Sequence, residues 1–217
     1  MIRFVAPDNI SGVRTLLKDS LGFDEAYLDL YLERNPAPRR MCCAQDGRIV
    51  AFMAAFPIDY VSGELFGGFH RTWHGYYLHG LCVAPQYRNR GIEAALIDYC
   101  AETTHGDGWD FLMMRPVAGE HYLAGFSLEL RRRENLPESE YPQNITARHA
   151  GELFLLRYNK LRYNYFQWSA PMLHYIIREA RLNPGRGRDT EPYAIIRPFC
   201  DDFRLSSPDA VFSYPMD

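Results

Sequence analysis

The chain has 217 residues, 47% hydrophobic, 14% aromatic and 24% charged, the balance of an ordinary globule with ample core material. Its 24 basic and 27 acidic residues leave a formal net charge of −3, without the basic excess of a dedicated nucleic-acid binder. No apolar run approaches the roughly 20 residues of a bilayer span, Met1 to Asp8 lack the apolar core of a signal peptide, and five cysteines in no framework spacing fit reduced thiols, so the expectation is a cytoplasmic protein with neither nucleic acid nor membrane as partner.

The elements alternate from the start. Ile2 to Val5 reads as a short strand, and Asp8 as the cap of a helix carrying Ile10, Val13, Leu16, Leu17 and Leu21. Gly22 stops that helix, and Asp24 caps a second one running to about Glu33. Arg40 to Ala44 and Arg48 to Phe56 are two strands joined by Asp46-Gly47, a pair that tolerates the positive φ of a tight hairpin turn. After the turn-rich stretch Gly63 to Gly68, strands are expected at Phe69 to Trp73 and Tyr76 to Val83. Gly91 to about Thr103 is the best helix, with Ile92, Ala95, Leu96, Tyr99 and Cys100 in one apolar stripe. Trp109 to Met114 is the next strand. A strand–loop–helix–strand unit of this kind implies a right-handed crossover and a parallel strand pair. Past Arg133 the composition turns polar and proline-marked. The expected division is therefore a first unit over 1–133, then a linker and C-terminal extension over 134–217. There Phe154, Tyr158, Leu161 and Tyr165 follow helical spacing, a further helix begins at Ser169-Ala170-Pro171, and Tyr193 to Ile196 reads as a strand.

The loop after the Tyr76–Val83 strand is the most informative segment. In Leu81-Cys82-Val83-Ala84-Pro85-Gln86-Tyr87-Arg88-Asn89-Arg90-Gly91-Ile92-Glu93-Ala94-Ala95-Leu96 a strand ends, a basic loop follows, and a helix opens at a glycine. A helix N-terminus carries orphan N–H donors and a partial positive charge, so it holds phosphate without side chains. Gly91 allows close approach, and Arg88 and Arg90 add charge. The residues alone leave two readings open, an anion site for a phosphorylated cofactor or an ordinary helix start with two solvated arginines.

The segment Val83-Ala84-Pro85-Gln86-Tyr87-Arg88-Asn89-Arg90-Gly91-Ile92 resembles the signature of the GNAT acetyltransferase superfamily, in which a strand ending in Val-x-Pro leads to Arg-x-x-Gly-x-Gly/Ala. Glu93 departs from it, standing where the family has Gly or Ala. The order of elements over residues 1–130 is similar too. The resemblance implies a mixed α/β fold with a GNAT-like central sheet flanked by helices, and acetyl-CoA as co-substrate. The main chain of Leu81, Cys82 and Val83 would then pair with the pantetheine arm. The N–H groups of Asn89, Arg90, Gly91, Ile92, Glu93 and Ala94, beside Arg88, would hold the pyrophosphate. A primary amine, on a small molecule or a peptide, would attack the thioester directly, and a main-chain N–H on the central strand would steady the oxyanion.

Acid and base are less sharply marked. The family's tyrosine acid belongs to Tyr-x-x-x-Gly-Phe, whereas this chain has His121-Tyr122-Leu123-Ala124-Gly125-Phe126, which makes Tyr122 the candidate acid one residue out of place. His79, just before the expected strand bulge, is the candidate base against the reading of a structural histidine, and Glu120 is a further option. His70 and His74 lack a Glu or Cys to complete a zinc set, so no metal is expected. Cys42 and Cys43 read as core residues. Cys82 reads as accessible, without a base to activate it. Phe69, Trp73, Tyr76 and Tyr77 either line an acceptor pocket or pack a hairpin. The C-terminal part resembles a reduced second GNAT-like lobe without a second phosphate loop; it would cover the acceptor site or build a homodimer. Two alternatives to acetyl transfer stay open: an acetyl-CoA-binding regulatory protein with little or no turnover, and a transferase of a larger acyl or aminoacyl group.

Overall fold

The computed structural model describes residues 2–33, 40–62, 71–114, 128–131, 165–168, 193–203 and 211–212, with 178 and 182. Strand β1 (Arg3–Val5) is followed by helices α1 (Ile10–Leu21) and α2 (Glu25–Leu32). The cap of α1 is Asn9 rather than Asp8: the Asn9 carboxamide accepts from the Gly12 N–H at 2.9 Å. Asp8 instead accepts from the Gln45 side chain. Gly22 closes α1 at φ 66°, in the left-handed region where glycine avoids the Cβ penalty. Asp24 caps α2 through the Tyr27 N–H at 2.8 Å.

Strands β2 (Arg40–Gln45) and β3 (Ile49–Ser62) form the expected hairpin, closed by an Asp46 N–H to Arg48 carbonyl bond of 2.9 Å with Gly47 at φ 72°. The two strands expected at Phe69–Trp73 and Tyr76–Val83 are one, β4 (Arg71–Val83). It pairs continuously with β3 from Ser62↔Arg71 onward, and Phe69 lies outside the described residues. Gly75 interrupts the apolar pattern for a packing reason. Any Cβ there would collide with the ring of buried Phe111, its partner on the neighbouring strand.

Helix α3 (Ile92–Gly106) then crosses to β5 (Phe111–Met114), which pairs parallel to β4. The buried stripe of α3 is Ile92, Leu96, Ile97, Cys100, Ala101 and Thr104, with Ala95 and Tyr99 at its margin. The sheet is completed by β6 (Leu128–Arg131), β7 (Tyr165–Trp168), β8 (Tyr193–Pro198) and β9 (Val211–Phe212). Its order is β1-β2-β3-β4-β5-β8-β6, with β7 on the edge of β3 and β9 beside β7. The expected division at residue 133 thus falls in the connection between two hydrogen-bonded neighbours, β6 and β8. Tyr165, expected at helical spacing, begins a strand, and Val211–Phe212 adds another. On the edge of β3, β2 ends opposite Ala55 and β7 begins opposite Ile58. Pro57, which has no N–H to give a ladder, occupies the gap between them.

Strand alternation sends two sets of side chains to opposite faces. Phe52, Phe56, Tyr77 and Cys82 meet Val13, Leu17, Leu28 and Tyr31 of α1 and α2. Ala51, Met53, Tyr76, Leu78 and Val83 meet Leu96, Ile97 and Cys100 of α3. Adjacent Cys42 and Cys43 are core residues of opposite faces.

Candidate active site

Among the described residues β4 keeps only one paired neighbour over its second half. Its pairing with β5 covers Gly75, Tyr76 and Tyr77 and ends at Tyr77↔Met113. From Leu78 to Val83, no described strand pairs with that edge, although β3 continues along the other one. Within this stretch the β3–β4 register shifts: Ala54 faces His79 while Phe52 faces Cys82, so Gly80 and Leu81 together oppose Met53. This is a β-bulge, with Gly80 at φ 66°. The bulge resets the side-chain alternation. Leu78, Leu81 and Val83 all pack toward α3, whereas Cys82 lies on the α1/α2 side.

After Val83 the chain forms a 3-10 turn at Pro85–Tyr87 and reaches α3 through Arg88–Gly91, all exposed. Asn89 at φ 59° and Gly91 at φ 71° are both left-handed, alternating with their neighbours. Successive N–H groups in such an alternation point into one concavity, a geometry that favours anions. Among the described residues no side chain caps α3, and its first backbone bond runs from the Ala95 N–H to the Gly91 carbonyl. The N–H groups of Ile92, Glu93 and Ala94 are therefore the helix's orphan donors. Among the described residues nothing lies within 4 Å of a Cβ built on Gly91.

The two arginines differ in their setting. Arg88 Nε donates to the Val83 carbonyl at 3.2 Å, pinning the loop to the end of β4. The Arg90 guanidinium sits over the Tyr87 ring, 5.3 Å from its centre, within cation–π range. Glu93, half-buried, stands in the first turn of α3, where a carboxylate is favoured by the helix dipole and competes with any other anion for it.

His79 lies immediately before the bulge, in an aromatic surround. Its ring is 5.5 Å from Tyr31, 5.6 Å from Phe56 and 6.5 Å from Tyr77. Cys82 corrects the expectation of an accessible thiol: it is buried beneath the sheet face, and that burial pushes its pKa up to about 12. Tyr122, Glu120 and His70 lie outside the described residues. His74 makes a different contact from the one weighed in the sequence: its Nδ1 is 2.8 Å from Asp59 Oδ1, across the β3–β4 pair. Among the described residues no group of three His, Cys, Asp or Glu side chains is placed to hold a metal. Trp73, Tyr76 and Tyr77 are buried in the two core layers, which is the packing reading of the aromatic run.

Of two residues that shape the site, Gly80 stands where the sequence places the strand bulge, and Tyr31 was not singled out. Gly80 carried a signal, since glycine inside an aromatic strand marks a bulge or a close approach. Tyr31 carried none, because the carbonyl it bonds is 48 residues away.

A mixed sheet whose central parallel pair, β4 and β5, is bridged by α3, with a bulge in β4 past the last described pairing, defines a mixed α/β fold. Residues 11–114 match the family model of the acetyltransferase (GNAT) family. Among solved structures it is similar to the GNAT family N-acetyltransferase YhbS from Escherichia coli, determined in complex with CoA. That pair is 18% identical, with a TM-score of 0.55 over 99% of this chain and 89% of that one. It is also similar to a GCN5-related N-acetyltransferase from Kribbella flavida (17% identity, TM-score 0.58, 82% of this chain and 50% of that one). A third is Eis1 from Mycobacterium abscessus (13% identity, TM-score 0.57, 85% and 49%). The chain spans about half the length of these last two, and at such identities the likeness establishes the fold alone. No curated protein matches the sequence.

Proposed function

We propose that the protein transfers acetyl from acetyl-CoA to a primary amine of a small molecule or peptide. The observation that carries this reading is the course of β4, which leaves β5 after Tyr77 and runs through the bulge at Gly80 into the left-handed loop that opens α3. In this reading the main chain of Leu81, Cys82 and Val83 takes the pantetheine arm as an added strand. The N–H groups of Asn89 to Ala94 take the pyrophosphate, with Arg88 and Arg90 beside it. The amine nitrogen bonds to the thioester carbon, and the C–S bond then breaks. A main-chain N–H at the bulge stabilises the oxyanion between those events. His79 accepts the proton that the amine loses, and Tyr122 gives one to the departing thiolate.

The test is thermal unfolding with acetyl-CoA, CoA and ATP. Ligand at 100-fold over its Kd stabilises by about 2.7 kcal/mol, which for a chain of this size is roughly 5–11 °C at about 2–4 °C per kcal/mol. That shift with acetyl-CoA and CoA but not ATP is expected, followed by turnover in a panel of amines. No shift at saturating ligand refutes the reading.

Glu93 favours a second reading, an acetyl-CoA-binding regulatory protein with little or no turnover. A carboxylate in the first turn of α3 weakens the pole on which a pyrophosphate depends. Binding without turnover of any amine in the panel selects it.

A further inference from the structure

The bulge of β4 is supported from outside the sheet by α2. Tyr31 is fully buried, and its ring is set by Phe23, Phe52 and Phe56 at near-perpendicular angles and by Tyr27 stacked alongside. Packing of this kind leaves the hydroxyl one direction, and it donates to the His79 carbonyl at 3.1 Å. The same oxygen presses on Gly80. A Cβ built there collides with the Tyr31 hydroxyl and comes within 3.1 Å of Tyr31 Cζ. One side chain thus meets both ends of the His79–Gly80 peptide unit.

That peptide decides what the rest of β4 presents. Without the bulge, alternation from Tyr77 and His79 would carry Leu81 and Val83 to the face where Tyr31 lies. With Gly80 left-handed they turn to α3 instead. The orientation of every main-chain N–H and C=O from Gly80 to Val83 follows from the same step.

We propose that Tyr31 is a positioning residue for acetyl transfer: its hydroxyl, bonded to the His79 carbonyl and packed on Gly80, holds the β4 bulge in the conformation that presents the strand's main chain to a thioester. The inference rests on reading the open β4 edge as the acetyl-CoA site. It assigns Tyr31 no contact with substrate. Its effect is geometric, and displacements on the order of 1 Å at a reacting centre cost about 100-fold in rate.

The test uses Tyr31→Phe, which removes the hydroxyl and keeps the ring, in the full chain. In the ligand-free protein the amide NMR signals of Gly80 and Leu81 are expected to move, while those of Leu96 and Cys100 in α3 stay fixed. With acetyl-CoA labelled with 13C at the thioester carbonyl, the bound wild type is expected to displace the carbonyl resonance from its free position. Tyr31→Phe loses most of that displacement, although its affinity for CoA by calorimetry stays within about twofold, because the phosphate loop is untouched. Gly80→Ala, which pushes the hydroxyl aside from the other end, is expected to give the same two changes. A tyrosine that only stabilises the fold would lower the melting temperature and leave the labelled carbonyl where it was, and that result overturns the proposal. Unmoved Gly80 and Leu81 amides in Tyr31→Phe overturn it as well. Failure of the wild type to bind either CoA or acetyl-CoA refutes the functional reading instead, while the amide signals still decide whether Tyr31 holds the bulge.

Discussion

Gly91 separates binding from stability, because its two properties are lost by different substitutions. Its φ of 71° makes any ordinary side chain strained there, at roughly 1–2 kcal/mol for a left-handed residue with a Cβ. At about 2–4 °C per kcal/mol, Gly91→Ala is expected to lower the melting temperature by roughly 2–8 °C. Asn tolerates the left-handed region, so Gly91→Asn has the smaller drop although its side chain is larger. Affinity should run the other way. A Cβ at Gly91 meets no atom of the described residues within 4 Å, so those residues need not repack around it, and the volume it takes is volume denied to a ligand before the helix. Loss of one charge-assisted N–H to phosphate bond is worth about 1.5–3 kcal/mol, or roughly 10- to 150-fold in Kd at about 1.4 kcal/mol per decade. Calorimetric titration with CoA at fixed ionic strength, beside scanning calorimetry of the same samples, reads both quantities. The expected order is Asn at least as damaging as Ala for binding and less damaging for stability. A Gly91→Asn variant that binds CoA within twofold of wild type would refute the placement of the anion at this loop.

Four other outcomes follow from single residues. Glu93→Ala should tighten CoA binding about threefold at low salt, since a carboxylate roughly 6 Å from a phosphate in high dielectric costs about 0.7 kcal/mol. The gain should fade as salt screens it, and an affinity unchanged at low salt would mean the Glu93 carboxylate faces away from the ligand. Cys82, with its pKa pushed up to about 12 by burial, should stay unlabelled by iodoacetamide in the native protein at pH 8, and labelling as fast as in the unfolded chain would show that it is not buried. The folded pKa lies above the unfolded value of 9.0, so the stability linked to this thiol is whole below pH 9 and is lost as pH rises from 9 toward 12. Wild type should therefore lose stability faster than Cys82→Ala above pH 9, by at most about 1.4 kcal/mol per pH unit. Parallel stability curves for the two proteins would refute that coupling. Gly75→Ala forces a methyl into the Phe111 ring and should cost about 1–3 kcal/mol by denaturant unfolding. A loss under about 0.5 kcal/mol would mean that the ring can move away.

Where the sequence was legible, the signal was local. The hairpin at Asp46-Gly47 and the stops and starts at Gly22 and Asp24 depend on residues within one turn of each other. So does the opening of α3, where the basic loop, the glycine and the apolar stripe stand within about four turns of helix. The missing cap at Asp8 is an error of a single position between two good capping residues, decided by which side chain reaches the Gly12 N–H. Long-range pairing was not legible in the same way. Tyr193 to Ile196 reads as a strand, but nothing local says that it enters between β5 and β6. Nor does Phe166-Gln167-Trp168 announce that it continues the edge of β3 where β2 leaves off.

The candidate site divides along the same line. Its phosphate-loop half is written in consecutive residues, because backbone N–H groups at a helix start need only the right φ angles, and Asn89 and Gly91 supply them in place. Its bulge half is not. Gly80 hints at a break in β4, yet which way the strand turns depends on Met53 across the ladder and on Tyr31 from α2. An anion loop alone would bind phosphates on many folds. In the proposed reading it is one end of a transfer site, because Arg88 ties it to the Val83 carbonyl, only three residues from the bulge on which Tyr31 packs from the other face of the sheet. Chemistry at the thioester end should therefore be sensitive to substitutions in α2 that leave the phosphate end untouched, and a strict parallel between CoA affinity and turnover across such variants would count against that coupling.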